Sequence, residues 1–282
     1  MTFDLSKIKN LILDMDGVLW HGDIPAPGLV HFFETLRELE IGFVLATNNA
    51  TRIATQYTQK LARFGVAVPP ELILTSAEAT AGHLQRHYPE GATVFAVGEK
   101  GLHEALRSYG FTLLPDEGFV GQDARADVVV VGLSRFACWD QLASAAYLVQ
   151  RGARFVGTNS DATFPSEVGP VAGAGALLAF VETASGATPE LVGKPQRAMF
   201  DEALRRLGAR PDNTAVVGDR LETDIVGGQA AGLHAILVLS GVTTEATLAG
   251  HPVQPEMVCA DIGALAAALL AARREEVHGR AD

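Results

Sequence analysis

Cysteine is scarce in this sequence, and its scarcity excludes several classes of protein. The 282 residues include two cysteines, Cys138 and Cys259, which lie far apart and have no CxxC partner. This excludes a disulfide framework and a zinc site built on paired cysteines. A reduced, cytoplasmic compartment is therefore expected.

Long apolar runs and an excess of positive charge are also missing. No apolar run approaches the ~20 residues of a membrane-spanning helix, and residues 1–7 lack the basic and then apolar profile of a signal peptide. The net charge of −11 argues against a general nucleic-acid binder or a protein of anionic membrane surfaces. We therefore expect neither nucleic acid nor membrane as a partner, and local positive groups must hold any anionic ligand.

Short apolar runs of strand length alternate with helical patterns along the chain. The first strand and helix pairs are 11–16 with 28–40, 42–48 with 51–64, and 72–76 with 77–87. Further strands are predicted near 93–97, 127–133, 154–157, 191–193, 214–217, 234–239 and 256–259, and further helices over 176–185 and 261–276. This rhythm is typical of a parallel α/β sheet. Runs such as 128–131 are apolar on both faces, as in strands that helices cover on both sides.

About ten strands are more than one doubly wound domain of this size normally uses, so a second sheet is expected. Two turns, at 88–91 and 186–189, bracket the middle of the chain. We predict an inserted domain over 88–187, and a core domain formed by 1–87 and 188–282.

Two carboxylates follow the first predicted strand, in Asp14-Met15-Asp16-Gly17. A buried strand has no structural need for two acids at its end, because unpaired charges near an apolar core cost several kcal/mol. A cationic or reactive group is therefore expected beside Asp14 and Asp16.

Other polar residues follow three more apolar runs. They are Thr47-Asn48-Asn49 after 43–46, Lys194 after 191–193, and Asp219 after 215–218. Open parallel sheets bind ligands at the carboxyl ends of their strands, so these positions can converge on one point. Each has an ordinary alternative: Thr47 suits a helix N-cap, Lys194 a solvated loop, and Asp219 and Asp224 the start of a helix. Chance does not readily explain all of them in this order.

The combination favours phosphate chemistry. Asp14, Asp16 and Asp219 supply the hard oxygen ligands that Mg²⁺ prefers. If the ion and Lys194 neutralise a phosphate, Asp14 can attack phosphorus as a nucleophile. Asp16 is then placed to give a proton to the leaving alkoxide and to take one from water.

These motifs resemble those of the haloacid dehalogenase (HAD) superfamily of aspartate-nucleophile phosphatases. The four family motifs correspond to Asp14-Met15-Asp16-Gly17, Thr47-Asn48-Asn49, Lys194, and 218–224, in the family's order. The sequences of 14–20 and of Gly193-Lys194-Pro195 are similar to those of the p-nitrophenyl phosphatase branch. That branch also contains the phosphoglycolate and pyridoxal-phosphate phosphatases. The resemblance implies a Rossmann-like core with an inserted α/β cap of the C2 type.

The resemblance also implies the role of each residue. Asp14 would be nucleophile and Mg²⁺ ligand, Asp16 the acid and base and a ligand through its backbone carbonyl, and Asp219 the third ligand. Thr47, Asn48 and Lys194 would hold the phosphoryl group, with Asn49 either assisting or capping a helix. Asp224 would orient the water around the metal. A small phosphorylated metabolite is the expected substrate, and a homodimer through the cap is expected.

The loop 158–165 follows a predicted cap strand, and in relatives it selects the leaving group. Its polar composition is also typical of a plain connecting loop. Phe164 stands where the pyridoxal-phosphate branch carries histidine, which argues against that substrate. A halide leaving group would leave Asp16 and Asp219 idle, so dehalogenation is disfavoured. A phosphotransferase or phosphomutase, and a non-catalytic phosphate binder, remain the alternatives.

Overall fold

The fold is built from alternating strands and helices. The computed structural model describes residues 3–116, 119, 121, 123–166 and 169–279. The strands are β1 (Asn10–Leu13), β2 (Trp20–His21), β3 (Ile24–Pro25), β4 (Gly42–Thr47), β5 (Ile73–Thr75), β6 (Thr93–Val97), β7 (Thr112–Leu113), β8 (Val128–Val131), β9 (Arg154–Gly157), β10 (Thr163–Ser166), β11 (Gly169–Ala172), β12 (Glu190–Leu191), β13 (Thr214–Gly218), β14 (His234–Val238) and β15 (Met257–Cys259). The helices are α1 (Leu29–Glu38), α2 (Ala54–Arg63), α3 (Ser76–Gln85), α4 (Lys100–Ser108), α5 (Trp139–Gln150), α6 (Ala174–Ser185), α7 (Arg197–Leu207), α8 (Val226–Ala230), α9 (Glu245–Gly250) and α10 (Ile262–Gly279).

The chain divides into two compact units. The first comprises the described residues up to Thr47, then Thr55–Leu74, and those from Phe200 onward. The second comprises Asn48–Ala54 and Thr75–Met199. The predicted inserted segment 88–187 lies in the second unit, which also includes α3.

The first unit contains a sheet with strand order β15-β14-β13-β1-β4-β5. β1 pairs in parallel with both β13 and β4, and β13 pairs in parallel with β14. Leu11, Ile12 and Leu13 of β1 are almost fully buried, as expected for a central strand between two layers of helices. The strand order places the carboxyl ends of β13, β1 and β4 side by side.

The second unit has a sheet of its own, with strand order β12-β9-β8-β6-β7 and only parallel pairs. The four valines of β8 are fully buried. Phe95, Val129 and Phe155 of this sheet pack with α5 and with Leu178 and Val181 of α6. The prediction of a second sheet is therefore confirmed, as is the predicted parallel α/β class.

All ten predicted strands are present in the structure, with bounds that differ by a few residues. The five strands that were not predicted, β2, β3, β7, β10 and β11, have two to four residues each. The predicted helices are also present. In the part of the chain that the structure describes, no helix is both long and apolar enough to cross a bilayer.

An ion pair joins the start of α4 to the loop after β8 in the second unit. Arg135 donates from Nε and Nη2 to the two carboxylate oxygens of Glu99, at 2.9 and 2.7 Å. The Glu99 side chain is 10% exposed, so this bidentate pair is shielded from solvent on one side. The Arg135 guanidinium holds the pKa of Glu99 below its usual value, against the opposing effect of partial burial.

Glu99→Gln is expected to lower the free energy of unfolding by about 1 kcal/mol at neutral pH, because the charged pair is lost. Since the pKa of Glu99 is lower in the folded state, its contribution is complete above the unfolded-state pKa and disappears as the pH falls through the folded-state pKa. Urea titrations of both proteins at neutral and acidic pH measure this difference.

Glu104→Gln is the matched control, because Glu104 pairs with Lys100 at 3.4 Å on the exposed surface of α4. Its loss is expected to change stability by only about 0.3–0.5 kcal/mol. A difference between wild type and Glu99→Gln that grows in acid would contradict the expected sign.

Candidate active site

The first unit brings acidic residues together at the ends of two adjacent strands. Asp14 follows β1 and Asp219 follows β13, and the register pairs Leu13 with Val217. The backbone N–H of Asp14 donates to the carbonyl of Val217 at 2.9 Å, which extends the ladder to the acid itself. The parallel register therefore fixes Asp14 and Asp219 at one edge of the sheet.

A third carboxylate completes this cluster. Asp14, Asp219 and Asp224 each offer an oxygen within 4.8 Å of the others, and Asp219 and Asp224 are 1% exposed. Asp224 lies in a π-helical turn, Leu221–Ile225, directly after β13. Carboxylates this close repel each other unless a cation joins them. A compact set of hard oxygen donors fits a divalent cation such as Mg²⁺.

Glycines allow the backbone to approach Asp219 closely. A Cβ atom at Gly241 would overlap Asp219 Oδ2, and one at Gly17 would lie 2.7 Å from Asp219 Cγ. Gly17 also has φ +89°, a conformation that favours glycine. The backbone N–H of Val242 donates to Asp219 Oδ2 at 2.7 Å. The carboxylate is therefore enclosed by main chain, which fixes its orientation.

Asp16 lies outside the cluster of three carboxylates and is exposed. Its Oδ1 accepts a hydrogen bond from the indole Nε1 of Trp20 at 2.7 Å. Solvent can therefore exchange protons with Asp16, while one of its two oxygens is held by a buried donor.

Thr47 ends β4 and is 4% exposed. Because β4 pairs with β1 in a register that sets Leu45 opposite Leu13, Thr47 lies at the same edge of the sheet as Asp14. The first unit thus holds the cluster of Asp14, Asp219 and Asp224 and places Thr47 at the same edge of its sheet.

The second unit holds Asn48, Asn49 and Lys194. Asn48 Nδ2 donates to the backbone carbonyl of Lys194 at 2.9 Å, and Lys194 is 3% exposed. Asn49 Oδ1 accepts from the N–H and the hydroxyl of Thr51, both at 2.8 Å, so its side chain caps a turn. These bonds lie in the turn that precedes α2, which begins at Ala54.

Residues 163–165 of the predicted loop 158–165 belong to β10, and the part before them is bonded to Asn48 and Gly193 of the second unit. Asn159 Nδ2 donates to the carbonyl of Asn48 at 2.8 Å, and Asn48 Nδ2 lies 3.4 Å from Asp161 Oδ2. The N–H of Gly193 donates to the carbonyl of Thr158 at 2.8 Å. These contacts hold the start of the segment against Asn48 and Gly193. They could not be derived from the sequence, although Asn159 and Asp161 directly follow a predicted strand.

The hydrogen bond between Trp20 and Asp16 is also absent from the site prediction, which gives Trp20 no role. The tryptophan follows the first motif closely, four residues after Asp16, but the sequence does not show where its indole points. Only the turn 16–20, closed by a hydrogen bond of 2.8 Å from the Gly17 N–H to the Trp20 carbonyl, brings the two side chains together.

Comparisons with known proteins agree with the motifs. The sequence profile of the haloacid dehalogenase-like hydrolases matches residues 11–112, and a HAD-hydrolase-like profile matches residues 191–265. The ribonucleotide monophosphatase NagD of Escherichia coli is 39% identical over 251 residues, which cover 89% of this chain and 95% of that protein.

Two solved structures with the same fold are phosphatases as well. The 4-nitrophenylphosphatase of Thermotoga maritima has a TM-score of 0.86 at 35% identity, covering 94% of this chain and 98% of its own. The glycerol phosphate phosphatase of Mycobacterium tuberculosis, solved in complex with magnesium, has a TM-score of 0.83 at 33% identity, covering 94% and 78%. The chain therefore belongs to the haloacid dehalogenase-like hydrolases, in subfamily IIA, and is a phosphatase of that family.

Proposed function

We propose that the protein is a Mg²⁺-dependent phosphomonoester hydrolase that acts on a small phosphorylated metabolite through an aspartyl-phosphate intermediate. The observation that carries the proposal is the cluster of Asp14, Asp219 and Asp224, whose carboxylate oxygens lie within 4.8 Å of one another. Asp14 and Asp219 follow adjacent strands, and Asp224 lies in the turn Leu221–Ile225. A structural role alone does not account for two almost fully buried acids and a third beside them.

In this proposal Asp14 is the nucleophile. One of its carboxylate oxygens attacks phosphorus and forms an O–P bond while the bond from phosphorus to the leaving oxygen breaks. Asp16 donates its proton to the leaving oxygen, which departs as an alcohol. Water then attacks phosphorus, Asp16 accepts the proton of that water, and the bond to Asp14 breaks to release inorganic phosphate.

The carboxylates of Asp14 and Asp219 and the backbone carbonyl of Asp16 would hold the Mg²⁺ ion, and Asp224 would orient its water. When bound, Mg²⁺ supplies positive charge that offsets the repulsion between a carboxylate nucleophile and an anionic phosphate. The enclosure of Asp219 by Gly17, Gly241 and the N–H of Val242 supports this assignment, because a rigid donor suits a cation with strict geometry.

Thr47, Asn48 and Lys194 are proposed to hold the phosphoryl group, and their assignment rests on the matching family motifs. Asn48 has a further role in this proposal, because its side-chain amide bonds to the backbone of Lys194. Lys194 is proposed to supply the positive charge that a phosphate needs in a protein of net charge −11.

We propose that the loop 158–165 contacts the leaving group. The relatives are named for ribonucleotides, 4-nitrophenyl phosphate and glycerol phosphate, so family membership alone does not select a leaving group. A panel of phosphorylated metabolites ranked by kcat/KM identifies the substrate.

Removal of divalent metal is expected to abolish the hydrolysis of p-nitrophenyl phosphate, because the anionic nucleophile and the phosphate then repel each other. Activity is measured before and after treatment with a chelator and after Mg²⁺ is returned, with circular dichroism to verify that the fold persists. Turnover that survives chelation at the original rate would refute the proposed metal dependence.

A further inference from the structure

A buried indole donates a hydrogen bond to an exposed carboxylate in the first unit. Trp20 is 0% exposed, whereas Asp16 is exposed. The bond from Trp20 Nε1 to Asp16 Oδ1 measures 2.7 Å, at the short end of the range for a nitrogen donor. A burial this complete leaves the indole little freedom to turn away from Asp16.

Side chains of α2 and of the residue that follows it hold the indole in place. Tyr57 of α2 stacks on the Trp20 ring at 6.4 Å between centroids, and Phe64 lies tilted at 6.2 Å. Lys60 Nζ lies 4.4 Å from the ring centroid. Tyr57 and Lys60 are three residues apart and share one face of α2. Phe64, the residue directly after the helix, extends this contact surface against Trp20.

Lys60 also anchors the turn that carries the tryptophan. Its side chain is 6% exposed, and Nζ donates to the carbonyl of Gly22 at 2.6 Å. Burial of a lysine is costly unless its charge is satisfied, and the Trp20 ring face and the Gly22 carbonyl both contribute. The indole therefore has contacts that fix both its plane and the backbone around it.

The backbone fixes the distance between donor and acceptor. Asp16 and Trp20 form an isolated β-bridge, and the Gly17 N–H donates to the Trp20 carbonyl at 2.8 Å. The side-chain bond is therefore supported at both ends, by this turn and by α2.

We propose that Trp20 is a positioning residue that orients the carboxyl group of Asp16 toward the leaving oxygen. The inference rests on the proposed function, in which Asp16 gives a proton to that oxygen. Because the indole N–H occupies Oδ1, the proton is carried on Oδ2. Trp20 acts through Asp16 and does not touch the reacting atoms.

A positioning role predicts an effect that depends on the leaving group. The nitrophenolate of p-nitrophenyl phosphate departs readily as an anion and needs little protonation, whereas the phenolate of phenyl phosphate is a poorer leaving group and depends more on a general acid. Loss of the orientation of Asp16 should therefore slow phenyl phosphate hydrolysis more.

The test compares kcat/KM, which reports the steps up to release of the alcohol, for these two substrates in the wild type and in Trp20→Phe, which keeps an aromatic ring and removes the N–H. We expect a loss of about tenfold with phenyl phosphate and of less than about threefold with p-nitrophenyl phosphate, a fraction of what general acid catalysis contributes. Trp139→Phe is the matched control, since Trp139 is 67% exposed in the second unit, and both rates should be unchanged.

A double-mutant cycle separates positioning from packing. If Trp20 acts through Asp16, then Asp16→Asn combined with Trp20→Phe should be no slower on phenyl phosphate than Asp16→Asn alone. Equal losses on both substrates in Trp20→Phe, or additive losses in the double variant, would overturn the proposal while leaving the proposed function intact. A wild-type protein that hydrolyses neither substrate would overturn both.

A second measurement does not require the Trp20 variant to fold. The chain has two tryptophans, so its NMR spectrum should contain two indole N–H signals. Asp16→Asn is expected to shift one of them and to speed its exchange with water, because a neutral amide is a weaker acceptor than a carboxylate. The absence of any shift would show that the bond does not form in solution and would overturn the proposal.

Discussion

Asp14→Asn is expected to reduce the hydrolysis of p-nitrophenyl phosphate by roughly three orders of magnitude or more, as is usual when a covalent nucleophile is lost. An amide is a poor nucleophile, and it also weakens the cluster with Asp219 and Asp224 as a set of anionic donors. Initial rates at saturating substrate and Mg²⁺ measure the loss.

The covalent intermediate gives an independent readout. When the reaction is quenched in acid during turnover, the mass of the wild-type protein should increase by that of one phosphoryl group, and the mass of Asp14→Asn should not. A labelled wild type in which the phosphate lies on another residue would contradict the role of Asp14. The matched control is Asp212→Asn, because the Asp212 side chain is 64% exposed, and its rate should equal that of the wild type.

The stability of the Asp14→Asn variant distinguishes loss of chemistry from loss of fold. Asp14 is one of three carboxylates within 4.8 Å, so its neutralisation removes repulsion when no cation is bound. In the presence of chelator, the Tm of the variant should therefore be equal to or higher than that of the wild type. A lower Tm under these conditions would indicate that Asp14 has a structural role.

The sequence predicts the central strands because their signal is local. A run such as 128–131 is apolar on both faces, and that pattern alone indicates a strand covered on both sides. The missed strands give no such signal. β2 and β3 have two residues each, and in the antiparallel pair of β10 and β11 Pro165 faces Pro170, although proline usually argues against a strand.

In the candidate site, too, some residues have a local sequence signal and others do not. Asp14 and Asp219 follow directly from the rule that parallel sheets place ligands at the carboxyl ends of their strands. The bond between Asn48 and Lys194 joins residues 146 positions apart, and its formation depends on how the second unit folds. Gly241 carries no motif signal at all, because its importance lies in the space that Asp219 occupies.

Gly241→Ala is expected to reduce kcat/KM by about a hundredfold, because catalysis tolerates displacements of about 1 Å poorly. A Cβ atom at this position would overlap Asp219 Oδ2 and would lie 2.5 Å from the Cβ and Cγ atoms of the same residue. Asp219 is 1% exposed, so the carboxylate has little room to move aside. The backbone conformation at Gly241 is not itself the constraint, since its φ is outside the left-handed region.

The displacement of Asp219 should also weaken metal binding. The half-maximal Mg²⁺ concentration for activity is expected to rise by about 10- to 100-fold, the usual range when the support of a metal ligand is lost. The increase in Tm on addition of Mg²⁺ is a readout that does not depend on turnover, and it should shrink in the variant at a fixed Mg²⁺ concentration. Both effects are expected from the same steric overlap between the new Cβ atom and Asp219, so they should appear together.

Gly250→Ala is the matched control for this prediction. Gly250 ends α9, and a Cβ atom there would meet nothing within 4 Å. Its activity and Mg²⁺ dependence should equal those of the wild type, and its stability should not decrease, because alanine is a better helix former than glycine. If Gly241→Ala also keeps the wild-type Mg²⁺ dependence, then the proposal that Gly241 determines metal affinity through the position of Asp219 is wrong.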